Sequence, residues 1–344
     1  MSKLIDSLTG YFFPADDTRS ASRGEGDDNV AFSTRSAAGA DPALLGTSKA
    51  SRLRRRLRGV PVRGDTGRPW GDDDRASPRI HPMASVDPRA DLAPDVEIGP
   101  FCVVGPHVTL GPGCRLLPHA TVVGHTVAGS DNTFHSFCVV GGDPQDKKFA
   151  GEETHLILGD GNEIREHVTI HTGTSTGGGT TRVGDHNLIM VGAHIGHDAT
   201  VGSRCVIGNN VMLAGHVVIG DYVSMMGGSA VHHFTTIGDY SFVGGYAQIH
   251  LDVPPYVKVD GEDRIRAVNS VGLRRSGRVA EDDIAALEVA IRTLFVSKKQ
   301  PMSVKIDAMM ADPNLNGRVR DVVDSIRRRT MGKSGRYLES LRRA

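Results

Sequence analysis

The chain has 344 residues, and its 40 lysines and arginines are matched by 40 aspartates and glutamates, so the formal net charge is zero. No global basic field exists to hold nucleic acid by phosphate neutralisation, so no nucleic-acid partner is expected. Glycine numbers 42, nearly double its ordinary share, yet it shows no G-X-Y period, and no run approaches the roughly 18 apolar residues of a transmembrane segment. The four cysteines, Cys102, Cys114, Cys138 and Cys205, lie in apolar runs without a CxxC pair. They read as small buried side chains in a reducing, cytoplasmic setting, with neither a disulfide frame nor a zinc knot.

Residues 1–79 are rich in Ser, Gly, Asp and Arg and have few periodic apolar positions. Such a segment buries too little surface to offset its ordering entropy, and is expected to be a disordered extension without a catalytic role.

A six-residue period begins at Ile80. Every sixth residue from there to Val140 is apolar, eleven positions in all. The phase returns at Leu158, Ile164 and Ile170, breaks again, and then runs through twelve positions from Val183 to Ile249. Neither a 3.6-residue helix nor a half-buried strand demands one aliphatic in every six. A left-handed parallel β-helix does, because each coil has three short strands and each strand points one aliphatic inward. The fold is therefore mainly β, a hexapeptide-repeat prism over residues 80–256. Glycines often follow the inward residue, and are expected to relieve the corner conformation. The breaks, about residues 142–157 and 172–182, become loops thrown out of the prism, where function tends to reside. Beyond residue 257 the spacing of Ile284, Leu287, Ile291 and Leu294, then of Val319, Val322 and Ile326, is helical, and predicts a small C-terminal α-helical domain over 257–344.

Eighteen residues make one coil, so positions 18 apart stack about 4.8 Å apart. His197, Gly215 and His233 then share one column, with His216 adjacent and His194 and His232 close by. This is a cleft-like arrangement, although scattered surface histidines remain an alternative. Flat prism faces favour trimers, and three imidazoles from two subunits, with Asp198, could instead hold zinc as in a prism-shaped hydratase.

Several strings carry a more specific signal: GGDPQDKKFAGE at 141–152, GDGNEIRE at 159–166, VTIHTGT at 168–174, AHIGHD at 193–198, LAGH at 213–216, AVHHF at 230–234 and DVPPY at 252–256. In this order they resemble the acyl-[acyl-carrier-protein]–UDP-N-acetylglucosamine O-acyltransferases that open lipid A synthesis. The resemblance covers residue 80 to the C-terminal helices. It implies transfer of an acyl group, a 3-hydroxyacyl, from an acyl-carrier-protein thioester to the sugar 3-hydroxyl. A homotrimer and no cofactor or metal are implied as well.

Position by position, the resemblance makes His197 the general base, a role suited to imidazole because its ordinary pKa lies near neutrality. Asp198 orients the ring or stabilises the imidazolium, and the Gly215 N–H donates to the thioester oxygen. Asp146 and Lys148 match residues that hold the sugar and phosphate region. His194, His216 and His232 match pocket histidines, and Asn269 and Arg275 match nucleotide contacts. Gly245 matches a position that sets the depth of the acyl groove, which Phe242 could shorten. His233 stands where the usual pattern has glutamine, and Val271 and Ser276 replace a glutamate and a second arginine. These departures keep open an N-acyltransferase or acetyltransferase acting on a related nucleotide amino sugar. A catalytically inactive prism is the remaining class.

Overall fold

The computed structural model describes residues 77–297 and 299–341. The disordered extension expected over 1–79 therefore lies almost entirely outside the described residues. Three sheets of eleven, nine and eight strands wrap one interior, here called faces A, B and C. All ladder pairs are parallel except a hairpin, Val257–Asp260 with Arg264–Val268, that closes face A. The other strands number 26, from Arg79–Ile80 to Gln248–Ile249, one for each sixth-residue position of the repeat. Most are two residues long, with the second residue inward. Ile164, Ile170, Ile189, Ile195, Ile207 and Leu213 are all fully buried in a single stacked core. Burying each such side chain contributes about 1.5–3 kcal/mol, which the small polar turns could not supply.

The glycines after the inward residues do a different job from the one expected. Positive φ falls mainly on non-glycine corner residues such as Phe137 (64°), Asp198 (59°) and His216 (62°). Gly202 is constrained by stacking instead, since a Cβ there would come within 2.7 Å of the Gly220 backbone one coil on.

Both breaks leave the edge between faces B and C. Across the first, His125 pairs with His155 and Val139 with Thr169, a spacing of 30 where the repeat has 18, so 12 residues are extra. Across the second, Thr169 pairs with His194, a spacing of 25, so seven are extra. A buried amide ladder bridges both gaps on the opposite side of the coil. Asn132 Oδ1 accepts from Asn162 Nδ2 at 2.9 Å, and Asn162 Oδ1 accepts from Asn187 Nδ2 at 3.0 Å. The loops are therefore inserted without disturbing the stack.

Beyond residue 257 the chain first forms the closing hairpin on face A, and the helices start at Ser270. They are α1 (Ser270–Ser276), α2 (Glu281–Ile291), α3 (Met302–Met310), α4 (Gly317–Met331) and α5 (Tyr337–Ser340), with a π turn at Arg292–Val296. Ile284, Leu287, Ile291 and Leu294 are buried, as are Val319, Val322 and Ile326. The Tyr337 N–H donates to Asp252 Oδ2 at 2.8 Å and Arg336 to the His250 carbonyl at 2.8 Å, which ties the helices to the last coil. No helix among the described residues is long and apolar enough to cross a membrane.

Candidate active site

The strand His194–Ile195 turns Ile195 inward and His194 outward, and Gly196 lets the chain cross the B–C edge close to the coil above. His197 and Asp198 follow on that edge, both buried. His197 Nδ1 lies 2.8 Å from Asp198 Oδ2. The carboxylate is also held from the second loop: the Thr174 N–H donates to Oδ1 at 2.9 Å and its hydroxyl to Oδ2 at 2.7 Å. Burial alone would raise the Asp198 pKa, but the hydrogen bonds from His197 and Thr174 outweigh it and hold the group below the ordinary carboxylate value. An ionised Asp198 accepting from Nδ1 fixes the tautomer of His197, so Nε2 carries the lone pair.

Gly215 sits directly against this ring. A Cβ there would lie 2.5 Å from His197 Cε1 and 2.6 Å from Nε2. His216 meets His197 edge to face at 5.1 Å, places Nε2 3.9 Å from Asp198 Oδ2, and stacks on Phe234 at 4.4 Å. His194 Nδ1 is 2.8 Å from the Thr169 hydroxyl, and burial together with nearby His197 lowers its pKa. His232 and His233 are exposed one coil further on, with His232 Nδ1 3.1 Å from the His233 carbonyl. One donor atom each from His197, Asp198 and His216 could converge on a metal. Asp198 already accepts three hydrogen bonds, however, so the arrangement fits an oriented base better than a set of metal ligands.

The chain is similar to the acyl-[acyl-carrier-protein]–UDP-N-acetylglucosamine O-acyltransferase of Stenotrophomonas maltophilia, with 47% identity over 223 residues covering 64% of this chain and 84% of that protein. The counterpart from Halorhodospira halophila is 47% identical over 218 residues, covering 63% and 84%. This chain belongs to the UDP-N-acetylglucosamine O-acyltransferase family. Residues 252–334 match the model of domain 2 of that family, and 180–215 match the bacterial transferase hexapeptide. Among solved structures, the family member from Moraxella catarrhalis is 39% identical with a TM-score of 0.68, covering 71% of this chain and 95% of that one. The Arabidopsis enzyme is 35% identical with a TM-score of 0.63, covering 72% and 96%.

Family membership does not put every expected residue at one place. His194, His197, Asp198, Gly215, His216, His232 and His233 share the B–C edge or border it. Asp146 and Lys148 are on the first loop of that edge, where the Lys148 N–H donates to Asp146 Oδ1 at 3.0 Å, and Lys148 is exposed. Asn269 is buried at the start of α1. Its side chain accepts from the Gly272 N–H and donates to the Tyr240 carbonyl at 2.9 Å, which places it by the C–A edge. Arg275 is exposed on the same helix. Phe242 is on face A, and Gly245 lies at the A–B edge, where a Cβ would meet only ordinary contacts at 3.5 Å and beyond.

Two residues escaped the sequence reading. Thr174 is one. The other is His171, buried, 4.9 Å from His194, with Nδ1 lacking a hydrogen-bond partner. Burial, then the neighbouring His194 and His197, press its pKa down to about 4. Stacking by 18 works upward from His197 but fails downward, because the second loop makes the true offset 25. Applying that offset from His197 leads to Thr172, immediately after His171.

Proposed function

We propose that this protein transfers an acyl group from an acyl-carrier-protein thioester directly to the 3-hydroxyl of UDP-N-acetylglucosamine, the first step of lipid A synthesis. The observation that carries the chemistry is the Thr174–Asp198–His197 relay laid against a bare Gly215. His197 Nε2 takes the proton of the sugar hydroxyl as its oxygen attacks the thioester carbon. The new C–O bond forms, the C–S bond breaks, and His197 returns the proton to the leaving thiolate. The Gly215 N–H, which donates to no other group among the described residues, stabilises the developing oxyanion. Lys148 and Arg275 suit the pyrophosphate as cationic donors. Asn269 acts through the fold, by setting the start of the helix that carries Arg275.

The same placement supports a homotrimer. The helix that carries Arg275 starts by the C–A edge and Gly245 lies at the A–B edge, both apart from the edge of His197, so a second copy is needed to bring them together. Face B and its A edge also leave Phe101, Val103, Phe137, Val139 and Met212 exposed, an apolar stripe suited to a second copy. Four unpaired, buried thiols favour a cytoplasmic setting.

The test is incubation of pure protein with UDP-N-acetylglucosamine and a panel of acyl-carrier thioesters, with products identified by mass spectrometry. An O-acylated sugar nucleotide is expected. Product formed only on a diamino-sugar analogue, acylated on nitrogen, would overturn the substrate assignment. Light scattering should give about three chain masses, and a fully active monomer would overturn the shared cleft.

A further inference from the structure

A second histidine set lies on the B–C edge, on coils below the catalytic one. His125 and His155 open the strands His125–Ala128 and His155–Leu158 and are direct partners in the parallel ladder. Alternation buries the second and fourth residues of each strand and turns both imidazoles outward. The rings meet edge to face at 5.3 Å. Glu153, at the end of the first loop, brings Oε1 to 3.6 Å from His155 Nε2. One donor atom from each of His125, Glu153 and His155 lies within 4.8 Å of the other two. His107, one coil below, stacks on His125 at 4.2 Å and 6° and so fixes the plane of that ring.

We propose that His125, His155 and Glu153 bind a zinc-class divalent cation, which clasps the return end of the first loop to the coil beneath it. Zinc holds nitrogen and oxygen donors at about 2.0–2.2 Å, which places them about 3.4 Å apart around a tetrahedron. Reaching that spacing needs only rotation of His155 and Glu153, whose side chains are 44% and 68% exposed. Two imidazoles and a carboxylate leave a fourth position for water and select zinc, copper or nickel over magnesium. A cavity of about 520 Å³ lined by Arg89, Asp91, His107, Thr109 and His125 opens beside His125. The segment clasped runs from Gly142 to His155 and carries Asp146 and Lys148, so occupancy would tune how firmly that loop is presented.

The test is zinc titration by calorimetry on the untagged full chain, whose residues 1–76 contain neither histidine nor cysteine. About one saturable zinc site per chain is expected, unaffected by excess magnesium. His155→Ala and Glu153→Gln should each weaken it by about tenfold or more, with melting curves like that of the parent. His216→Ala should leave it unchanged. The proposal is overturned if the parent chain takes up no zinc, or if Glu153→Gln and His155→Ala both bind like the parent. Loss of binding in His216→Ala alone would move the ion up the same edge to the coils of His197 and His216, and also overturn it.

Discussion

The two loops leave the same edge of the prism, yet they are built for opposite ends. The first, with 12 extra residues, keeps its chemistry outward: Lys148 is exposed, and Glu152 accepts from the Ser175 hydroxyl at 2.8 Å on the face of the second loop. The second, with seven extra residues, folds back onto the prism and spends Thr174 on Asp198. Length explains part of the contrast, because a short excursion returns before it can clear the surface. Polarity explains more, since Thr172 and Thr174 are buried and satisfied while the first loop carries charges that stay in water. On the proposed mechanism, one loop presents groups to a ligand, and the other positions the groups that react.

The strongest way to test that division is to strike the reacting pair itself. His197→Ala should lower turnover by about 10²- to 10⁴-fold, with a melting temperature close to that of the parent because the ring is not part of the stacked core. Initial rates at saturating substrates decide it, and near-normal turnover would move the base to His194 or His216. Gly215→Ala should fall almost as far, since the added methyl would occupy the space of the His197 ring. Thr174→Val removes one hydrogen bond to an ionised carboxylate, a loss of about 1.5–3 kcal/mol if spent on alignment, so turnover should fall about tenfold or more. The Michaelis constants should hold, and Thr174→Ser should restore most of the rate. A first-loop change should behave in the opposite sense: Lys148→Ala should raise the Michaelis constant for the sugar nucleotide by about tenfold at nearly constant turnover. Equal effects of Thr174→Val and Lys148→Ala on both constants would erase the distinction between the loops.

The prism was legible in the sequence because its signal is obligatory. Each coil must bury one aliphatic per strand, so all 26 positions are visible as residues, and a phase break can only be an insertion. The stacked column was legible for the same reason wherever the 18-residue rule is intact, from His197 through Gly215 to His233. The corner glycines were misread, since close stacking of coils and relief of backbone strain leave the same letter in the sequence. Thr174 and His171 stayed hidden because a loop resets the offset, and the size of the reset follows from how the chain packs. Arg275 and Gly245 were named without their distance from His197, because a family string carries residue identity but not the edge of the prism on which it lands.

The smallest effect concerns His171, which belongs to the strand that leads into the second loop. Its pKa near 4, against about 6.5 for an unperturbed histidine, means that the unfolded chain binds a proton there more readily than the folded one. The contribution to stability is therefore fully present above about pH 6.5 and is lost as the pH falls toward about 4. Protonation would set a buried cation beside His194 and His197, with Nδ1 still lacking a partner. Denaturant midpoints should decline over that window, and His171→Gln, which cannot titrate, should flatten the decline without altering stability at pH 8 by more than about 1 kcal/mol. The first loop provides the contrast. Glu152, with a pKa lowered from 4.5 to about 2, first by the Ala150 N–H and then by its own N–H and the Ser175 hydroxyl, starts to give up its contribution only at the acid end of the His171 window and loses most of it below. A stability profile flat between pH 6.5 and 4 in the parent chain would show that His171 is solvated in solution.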